Sequence, residues 1–201
     1  RNWYNFTWLS GDGLGEQAIH TGDWMMWAMK DKPPAKCTAT GGRQIPANGG
    51  NIFDHISVAY EWEKGVRGFI QQRQITGCYG ENSFYALGTK GNAYIHRGAY
   101  TTDLGGERNW KYEGPTPDMY QVEHDELFAS IRAGKPINNG DRMVTSTMAG
   151  IMGRIAGYTG QEITWEMALN SKEEIAPQTL RDWNGQVVVP PLAMPGRTKF
   201  I

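Results

Sequence analysis

The chain has 201 residues, enough for one substantial domain with its own core or for two small ones at most. Its 20 basic and 21 acidic side chains nearly cancel, which argues against nucleic acid or an anionic membrane as a partner. No run of about 18 apolar residues occurs, so the sequence predicts no membrane-spanning helix. Because the sequence opens on Arg1 inside an aromatic run, we expect a fragment or a processed product with a part upstream.

The first predicted element is a helix over residues 16–29. Ile19, Met26 and Trp27 fall near helical spacing, and Pro33 prevents the helix from continuing. The spacing of apolar residues then shifts toward two, which is typical of strands. We predict strands over 37–40, 53–62, 66–75, 83–87 and 92–96, with a further strand or an irregular connection over 100–112. The strands on either side of residues 63–65 and of residues 88–91 should form hairpins.

Helical spacing returns after Pro117. Asp118 is predicted to cap a helix that runs to about Ala133, and Asp141 to cap a second helix that runs to about Tyr158. The apolar stripes of these helices are Val122, Leu127, Phe128 and Ile131, then Val144, Met148, Ile151, Met152 and Ile155. A short helix is predicted over 165–169, and residues 174–201 read as an irregular, proline-rich tail.

This order of elements predicts one α+β domain over residues 1–201, with an open, mainly antiparallel β-sheet and helices packed on one face. The other face of the sheet must be solvated or covered. Strand 53–62 alternates Ile56, Val58 and Tyr60 with residues such as His55, which favours coverage. We therefore expect a homo-oligomer that associates through the open sheet face.

Two cysteines, Cys37 and Cys78, are too few to define a disulfide framework. They are either two reduced thiols or a pair that would indicate an oxidising compartment. The sequence does not decide between the two.

Three polar residues share one face of the first predicted helix, because Glu16, His20 and Asp23 are four and three positions apart. Three interpretations are open. The residues could be a structural set, in which Glu16 interacts favourably with the helix dipole. They could bind a divalent metal ion. They could form a surface for proton transfer and substrate binding, since a carboxylate one turn away raises the basicity of an imidazole. The candidates for substrate binding are Asp23 on this helix, Arg73 near the end of a predicted strand, and Arg43 in or beside a loop.

Several long motifs resemble one known family. The helix segment RNWYNFTWLSGDGLGEQAIHTGDWMMWAM, the strand segment GTKGNAYI, and the later segments EHDELFASIRAGKPIN, MAGIMGRIAGYTGQEITWEMALNS and PGRTKFI resemble the C-terminal substrate domain of the glucose–fructose oxidoreductase/inositol dehydrogenase/MocA (Gfo/Idh/MocA) family. The resemblance spans nearly the whole chain.

The resemblance implies a second, N-terminal Rossmann domain, absent from this sequence, that binds most of an NAD or NADP cofactor. The segment 11-GDGLG-15 is no substitute, because no strand precedes it. Lys135-Pro136 follows a helix, so it is not the Lys-Pro motif that carries the family's catalytic lysine. We expect the isolated chain to be inactive.

By the same resemblance, His20 would be the acid/base that takes a proton from the substrate hydroxyl. Glu16 would orient substrate hydroxyls, and Asp23 would hold the helix or His20 in place. The family usually carries Asp where this chain has Glu16, whose side chain reaches one methylene further.

The resemblance implies a dehydrogenase that acts on a sugar or polyol. Two alternatives stay open at this point: a redox-assisted glycosidase that uses NAD without net consumption, and a non-catalytic sugar-binding or oligomerisation module. No membrane or nucleic-acid partner is expected. Related proteins often carry export signals, so the resemblance leaves two locations open for the parent protein, the periplasm and the cytoplasm.

Overall fold

The computed structural model describes residues 2–45, 49–96, 99–103 and 109–201, without the side chains of residues 99, 180 and 181. The chain divides into two compact units. The first comprises residues 1–79 and 144–201, and the second comprises residues 80–143. No helix among the described residues is long and apolar enough to cross a bilayer.

The first unit is built on a four-stranded antiparallel sheet in the order β3-β2-β1-β8. Its strands are β1 (Lys36–Gly42), β2 (His55–Glu61), β3 (Arg67–Arg73) and β8 (Ile163–Thr164). The predicted hairpin of β2 and β3 is confirmed, with Val58 opposite Ile70 and a tight turn at Glu63–Gly65.

Helices cover one face of this sheet. The chain begins with a 3-10 turn (Trp3–Asn5), a short helix α1 (Thr7–Ser10), a π-helical turn (Leu14–Ala18) and helix α2 (Ile19–Ala28). Helix α4 (Gly140–Thr159), which lies in the first unit from Val144 onward, and helix α5 (Trp165–Asn170) follow later in the chain.

The core of the first unit lies between the sheet and these helices. The predicted alternation in β2 is confirmed, because Ile56, Val58 and Tyr60 are buried. Helix α4 packs closely here: a methyl group added at Gly153 would meet the hydroxyl of Tyr60 and the side chain of Leu14. The Tyr60 hydroxyl also donates a 2.9 Å hydrogen bond to the carbonyl of Ala149.

Two details of α4 differ from the sequence prediction. The helix begins at Gly140, so Asp141 lies inside its first turn rather than at the cap. Val144, assigned to the buried stripe, is 55% exposed, whereas Ala149, Gly153 and Ala156 are buried. The rest of the predicted stripe is buried or half-buried, with Met152 and Ile155 in the core, and small residues extend this face because they allow a helix to approach a sheet closely.

The second unit contains another four-stranded antiparallel sheet, in the order β4-β5-β6-β7. Its strands are β4 (Ser83–Gly88), β5 (Gly91–His96), β6 (Ala99–Asp103) and β7 (Trp110–Lys111). The hairpin of β4 and β5 is confirmed, and the region 100–112 supplies two strands. Residues 104–108 lie outside the described part of that region. The antiparallel strands thus form two sheets rather than one.

Helix α3 (Met119–Arg132) completes the second unit. Asp118 caps it as predicted, since its carboxylate accepts hydrogen bonds from the backbone N–H groups of Tyr120 and Gln121. The apolar stripe of α3 is open, with Leu127 and Phe128 more than two-fifths exposed. In the described part of residues 80–143 no side chain is fully buried.

The remaining predictions concern the tail and the cysteines. Residues 174–201 are irregular apart from one 3-10 turn (Gln178–Arg181), and most are exposed. Cys37 and Cys78 are both free, the first buried and the second exposed. Burial raises the pKa of the Cys37 thiol to about 12.

Candidate functional site

The predicted polar face is present on the π-helical turn and α2. Leu14, Ala18 and Gly22 are buried at spacings of four residues, which fixes the side of the helix that faces the core. Glu16 and His20 follow the same spacing two residues later; Glu16 is half-buried and His20 is exposed. Because the buried row faces the core, Glu16 and His20 lie on the side of the helix that faces away from it.

Helix α4 holds the end of this polar face. The Ser146 hydroxyl donates a 2.6 Å hydrogen bond to Oδ1 of the half-buried Asp23. Asp23 thus connects α2 to α4, which agrees with a role in holding the helix. At the other end, the Gln17 amide donates a 2.7 Å hydrogen bond to Oε2 of Glu16.

His20 has no hydrogen bond or ion pair with any other residue that the structure describes. Its exposed imidazole can accept a proton from a group outside the chain, because no internal partner occupies either ring nitrogen. Neither carboxylate of the row fixes the ring, in contrast to the expectation that a neighbouring carboxylate would orient it.

The loop before the π-helical turn is fixed from within the protein. Asp12 has a left-handed backbone (φ 85°) and is fully buried. Its Oδ1 accepts a 2.9 Å hydrogen bond from the backbone N–H of Leu14, and its Oδ2 accepts a 2.5 Å hydrogen bond from the hydroxyl of Tyr158. Asp12 was not among the residues predicted from the sequence, although an acidic residue between two glycines, directly before a helix, is a signal of a specialised turn.

Gln72 on β3 also approaches this segment. A methyl group added at Gly13 would collide with the Gln72 amide, and one added at Gly22 would contact Ile70. Gln72 and Ile70 therefore lie on the face of β3 that α2 covers. The Oε1 atom of Gln72 is buried and has no hydrogen-bond partner among the described residues. Gln72 was not predicted from the sequence, because its neighbour Arg73 carries a charge and Gln72 does not.

Arg73 lies on the opposite face of the sheet. Successive side chains of a strand point to opposite faces, so Arg73 shares the outer face with Phe69 rather than with Gln72. Its guanidinium donates a long 3.4 Å hydrogen bond to the carbonyl of Tyr79. The structure does not bring Arg73 to the polar face of α2.

Arg43 stabilises a loop. Its guanidinium donates a 2.9 Å hydrogen bond to the carbonyl of Gly50. The next residue, Asn51, accepts hydrogen bonds from the backbone N–H and the hydroxyl of Thr7. Arg43 thus supports the loop that anchors α1, and the structure shows no contact between Arg43 and the polar face of α2.

Two atoms of the N-terminal aromatic run are buried without a partner in the described chain: the hydroxyl of Tyr4 and Nε1 of Trp8. Burial raises the pKa of Tyr4 well above its ordinary value, and the negative charges of Glu16 and Asp12 raise it further. Tyr4 therefore lies within electrostatic range of both carboxylates. Its position in the aromatic run gave no indication of this proximity.

Neither a metal nor a dinucleotide fits the described residues around α2. Among the described residues, no three His, Cys, Asp or Glu side chains converge in a way that could hold a metal ion. This applies to Glu16, His20 and Asp23 as well. A pyrophosphate needs free backbone N–H groups. In the loop 11–15, those of Gly11, Asp12 and Leu14 already donate to Thr7, Ser10 and Asp12.

Comparison with known proteins gives matches among solved structures alone: no family model and no curated protein matches the sequence. The aldose-aldose oxidoreductase from Caulobacter crescentus, complexed with glycerol, superposes with a TM-score of 0.66 at 20% identity, over 82% of this chain and 51% of that chain. The WlbA dehydrogenase from Bordetella pertussis, in complex with NADH and UDP-GlcNAcA, gives 0.61 at 19% identity, over 82% and 48%. Levoglucosan dehydrogenase, in complex with NADH and levoglucosan, gives 0.66 at 13% identity, over 81% and 53%.

The chain spans about half the length of each of these structures. At such low identity the likeness shows a shared fold. The α+β class is therefore confirmed, and the resemblance noted in the sequence agrees with a fold that this chain shares with about half of each of these oxidoreductase structures.

Proposed function

We propose that this chain is the substrate-binding half of an NAD(P)-dependent oxidoreductase that acts on a hydroxyl of a sugar or polyol. The observation that carries the proposal is the polar row of Glu16, His20 and Asp23 opposite the buried face of one helix. The fold shared with sugar-acting oxidoreductases supports it.

His20 is the proton acceptor in this proposal. Its imidazole is exposed and has no partner among the described residues, so it can receive the proton of a substrate hydroxyl directly. Glu16, half-buried one helical turn earlier, accepts a hydrogen bond from a neighbouring hydroxyl of the same substrate. Asp23 contributes indirectly, because its hydrogen bond with Ser146 fixes helix α2, which carries His20.

A cofactor held outside the described residues completes the reaction. When bound, NAD or NADP would accept the hydride from the carbinol carbon, while this chain takes the hydroxyl proton. Because the loop 11–15 does not fit a pyrophosphate, we assign the nucleotide to a separate domain. This assignment is the reason to expect no turnover from residues 1–201 alone.

The histidines permit a matched test in the complete oxidoreductase. His20→Ala should lower turnover by about a hundredfold or more, as expected for loss of a positioned base. His124→Ala is the control, since His124 is an exposed histidine whose ring contacts the carbonyl of Tyr120 on α3. Reduced nicotinamide is the readout. Equal turnover in the two variants would exclude the proposed role of His20.

The same assay separates the alternatives. A redox-assisted glycosidase releases an aglycone from a glycoside without accumulating reduced nicotinamide. A non-catalytic module binds sugar in calorimetry, and the complete protein binds no nucleotide. We expect neither result: reduced nicotinamide should accumulate in proportion to oxidised sugar.

We also propose that two copies associate through the open face of the first sheet. Phe69 on this face is 66% exposed, next to the small residue Ala59 on β2 and Thr38 on β1. A charge placed there should oppose association. Phe69→Glu is expected to reduce the mass measured by light scattering to that of a monomer, whereas Trp183→Glu, at an exposed site in the tail, should leave it unchanged.

A further inference from the structure

The buried carboxylate of Asp12 has no part in the proposed reaction, yet its surroundings are unusually constrained. No part of the side chain reaches solvent, and the backbone adopts a left-handed conformation that costs a non-glycine residue about 1–2 kcal/mol. Such a conformation persists where surrounding contacts enforce it. The contacts on Asp12 therefore indicate what the loop is built to hold.

The partner on α4 is itself immobilised. The Tyr158 oxygen, which donates its proton to Asp12, accepts a 3.1 Å hydrogen bond from the backbone N–H of Phe53. The rings of Phe53 and Tyr158 pack with centroids 4.2 Å apart. The Arg154 guanidinium lies 5.8 Å from the centre of the Tyr158 ring and pairs with Glu173. Asp12 is thus fastened to a rigid part of the core, 146 positions away in the sequence.

The pKa of Asp12 depends on the same contacts. Burial raises the pKa of Asp12, while the hydrogen bonds from Tyr158 and Leu14 and the positive charge of Arg154 oppose this shift. Losing the Tyr158 hydroxyl would leave a buried carboxylate with one donor fewer. A buried group left without a partner costs about 1–3 kcal/mol, and a charged one costs more.

The second contact of Asp12 leads directly to Glu16. Leu14, whose N–H donates to Asp12, is the first residue of the π-helical turn, and Glu16 is the third. A π-helical turn is an uncommon conformation that often occurs at functional sites. At its far end the turn continues into α2, which Asp23 holds against α4. The turn is therefore held on both sides by contacts with the same helix.

We propose that Asp12 is a positioning residue: together with Tyr158 it holds the π-helical turn Leu14–Ala18, and hence Glu16, in the geometry that binds a substrate hydroxyl. The inference rests on the proposed function for the role of Glu16. Asp12 itself contacts neither substrate nor cofactor in this proposal.

Amide hydrogen exchange tests the structural part in the 201-residue chain, without any assay of activity. Asp12→Asn and Tyr158→Phe should each accelerate exchange within Leu14–Ala18 by about tenfold, since each removes or weakens one buried hydrogen bond. Tyr60→Phe is the control. It deletes a phenol hydroxyl of another buried tyrosine, bonded to Ala149 rather than to Asp12, so exchange within the turn should stay at the wild-type rate.

Kinetics of the complete oxidoreductase test the functional part. We expect Tyr158→Phe to raise the KM for the sugar by about tenfold or more, with the KM for the nucleotide unchanged, because misplacement of a binding group by about 1 Å costs this much. A double variant of Asp12→Asn and Tyr158→Phe should add little to either single change, since both break the same hydrogen bond.

The outcomes separate the two proposals. Unchanged exchange within the turn overturns the inference, whatever the activity. Faster exchange with an unchanged KM for the sugar overturns the link from Asp12 to Glu16. A wild-type oxidoreductase that turns over no sugar refutes the proposed function and, with it, the role of Glu16, while the exchange result still decides whether Asp12 holds the turn.

Discussion

The hydroxyl of Ser146 and the carboxylate of Asp23 are joined by a 2.6 Å hydrogen bond, although 123 positions separate them in the sequence. The bond connects α2, which carries the proposed proton acceptor, to α4 in the core. It is part-buried and charge-assisted, which places it among the stronger hydrogen bonds of proteins.

Ser146→Ala should lower the free energy of unfolding by about 1–2 kcal/mol, because a carboxylate loses a hydroxyl donor. Thr147→Ala, which removes the next hydroxyl from the exposed side of the same helix, serves as the control and should change stability by less than about 0.5 kcal/mol. Urea unfolding followed by circular dichroism measures both. Equal stability losses in the two variants would contradict the importance assigned to this bond.

Asp54 should confer a pH-dependent part of the stability. Burial alone would raise its pKa, but hydrogen bonds from the N–H of Ile45, from His55 and from the N–H of Gln44 outweigh burial and hold the pKa below its usual range. The folded pKa is therefore lower than the unfolded one. This contribution is present above about pH 4, the ordinary pKa of aspartate, and is lost as the pH falls through the lowered folded value.

Asp54→Asn should accordingly cost about 1–3 kcal/mol at neutral pH, and the difference from the wild type should shrink on acidification below about pH 4. Unfolding curves recorded at a series of pH values measure the effect. Glu126→Gln, at an exposed carboxylate on α3, provides the comparison and should shift stability little at any pH. A constant difference for Asp54→Asn across the series would show that the lowered pKa is not the cause.

Gly153→Ala should be destabilising by about 1–3 kcal/mol, because the added methyl group overlaps the hydroxyl of Tyr60 and the side chain of Leu14 in a close-packed core. Gly15→Ala is the matched change. The nearest atom to its new methyl group is 3.8 Å away, so this variant should be neutral or slightly more stable. Thermal unfolding of both variants gives the comparison, and a Gly153→Ala protein as stable as the wild type would mean that α4 packs less tightly than described.

The two thiols should differ sharply in reactivity. Cys78 is exposed, whereas Cys37 is buried and has a pKa of about 12, so at neutral pH its thiolate is scarce as well as inaccessible. Native protein should therefore react with a thiol reagent at one site only, and denatured protein at two. Native Cys78→Ser should not react at all. Rapid modification of Cys37 in that variant would indicate that the sheet next to α4 opens readily.

The sequence predicted the elements well where one physical rule governed them. The alternation in 53–62 gave the buried face of β2, and the side chain of Asp118 gave the start of α3. The exposed position of His20 on α2 agrees with helical spacing. In each case the residues involved are neighbours along the chain, so their geometry depends on local periodicity.

What the sequence did not predict depends on contacts between distant residues. Arg73 was predicted as a site residue instead of Gln72, because its charge is evident from the sequence. The face of β3 that covers the core depends on the elements that pack against Ile70 and Gly68, which are distant in the sequence. The buried face of α4 was predicted only in part: Met152 and Ile155 are buried as expected, but the small residues Gly153 and Ala156, which are also buried, were not predicted. Asp12 was overlooked because its partner, Tyr158, lies at the far end of the chain.

The π-helical turn at Leu14–Ala18 has a consequence for how such a site can change over generations. A π-helical turn differs from an α-helical one by a single inserted residue. Removing one residue from it would restore α-helical geometry with little rotation of the segments on either side, because the wider turn already takes up the extra residue, and only residues within the turn, such as Glu16, would change direction. Insertions and deletions of single residues here, more than substitutions, would therefore re-aim Glu16 while leaving the α2–α4 contact at Asp23 and Ser146 in place.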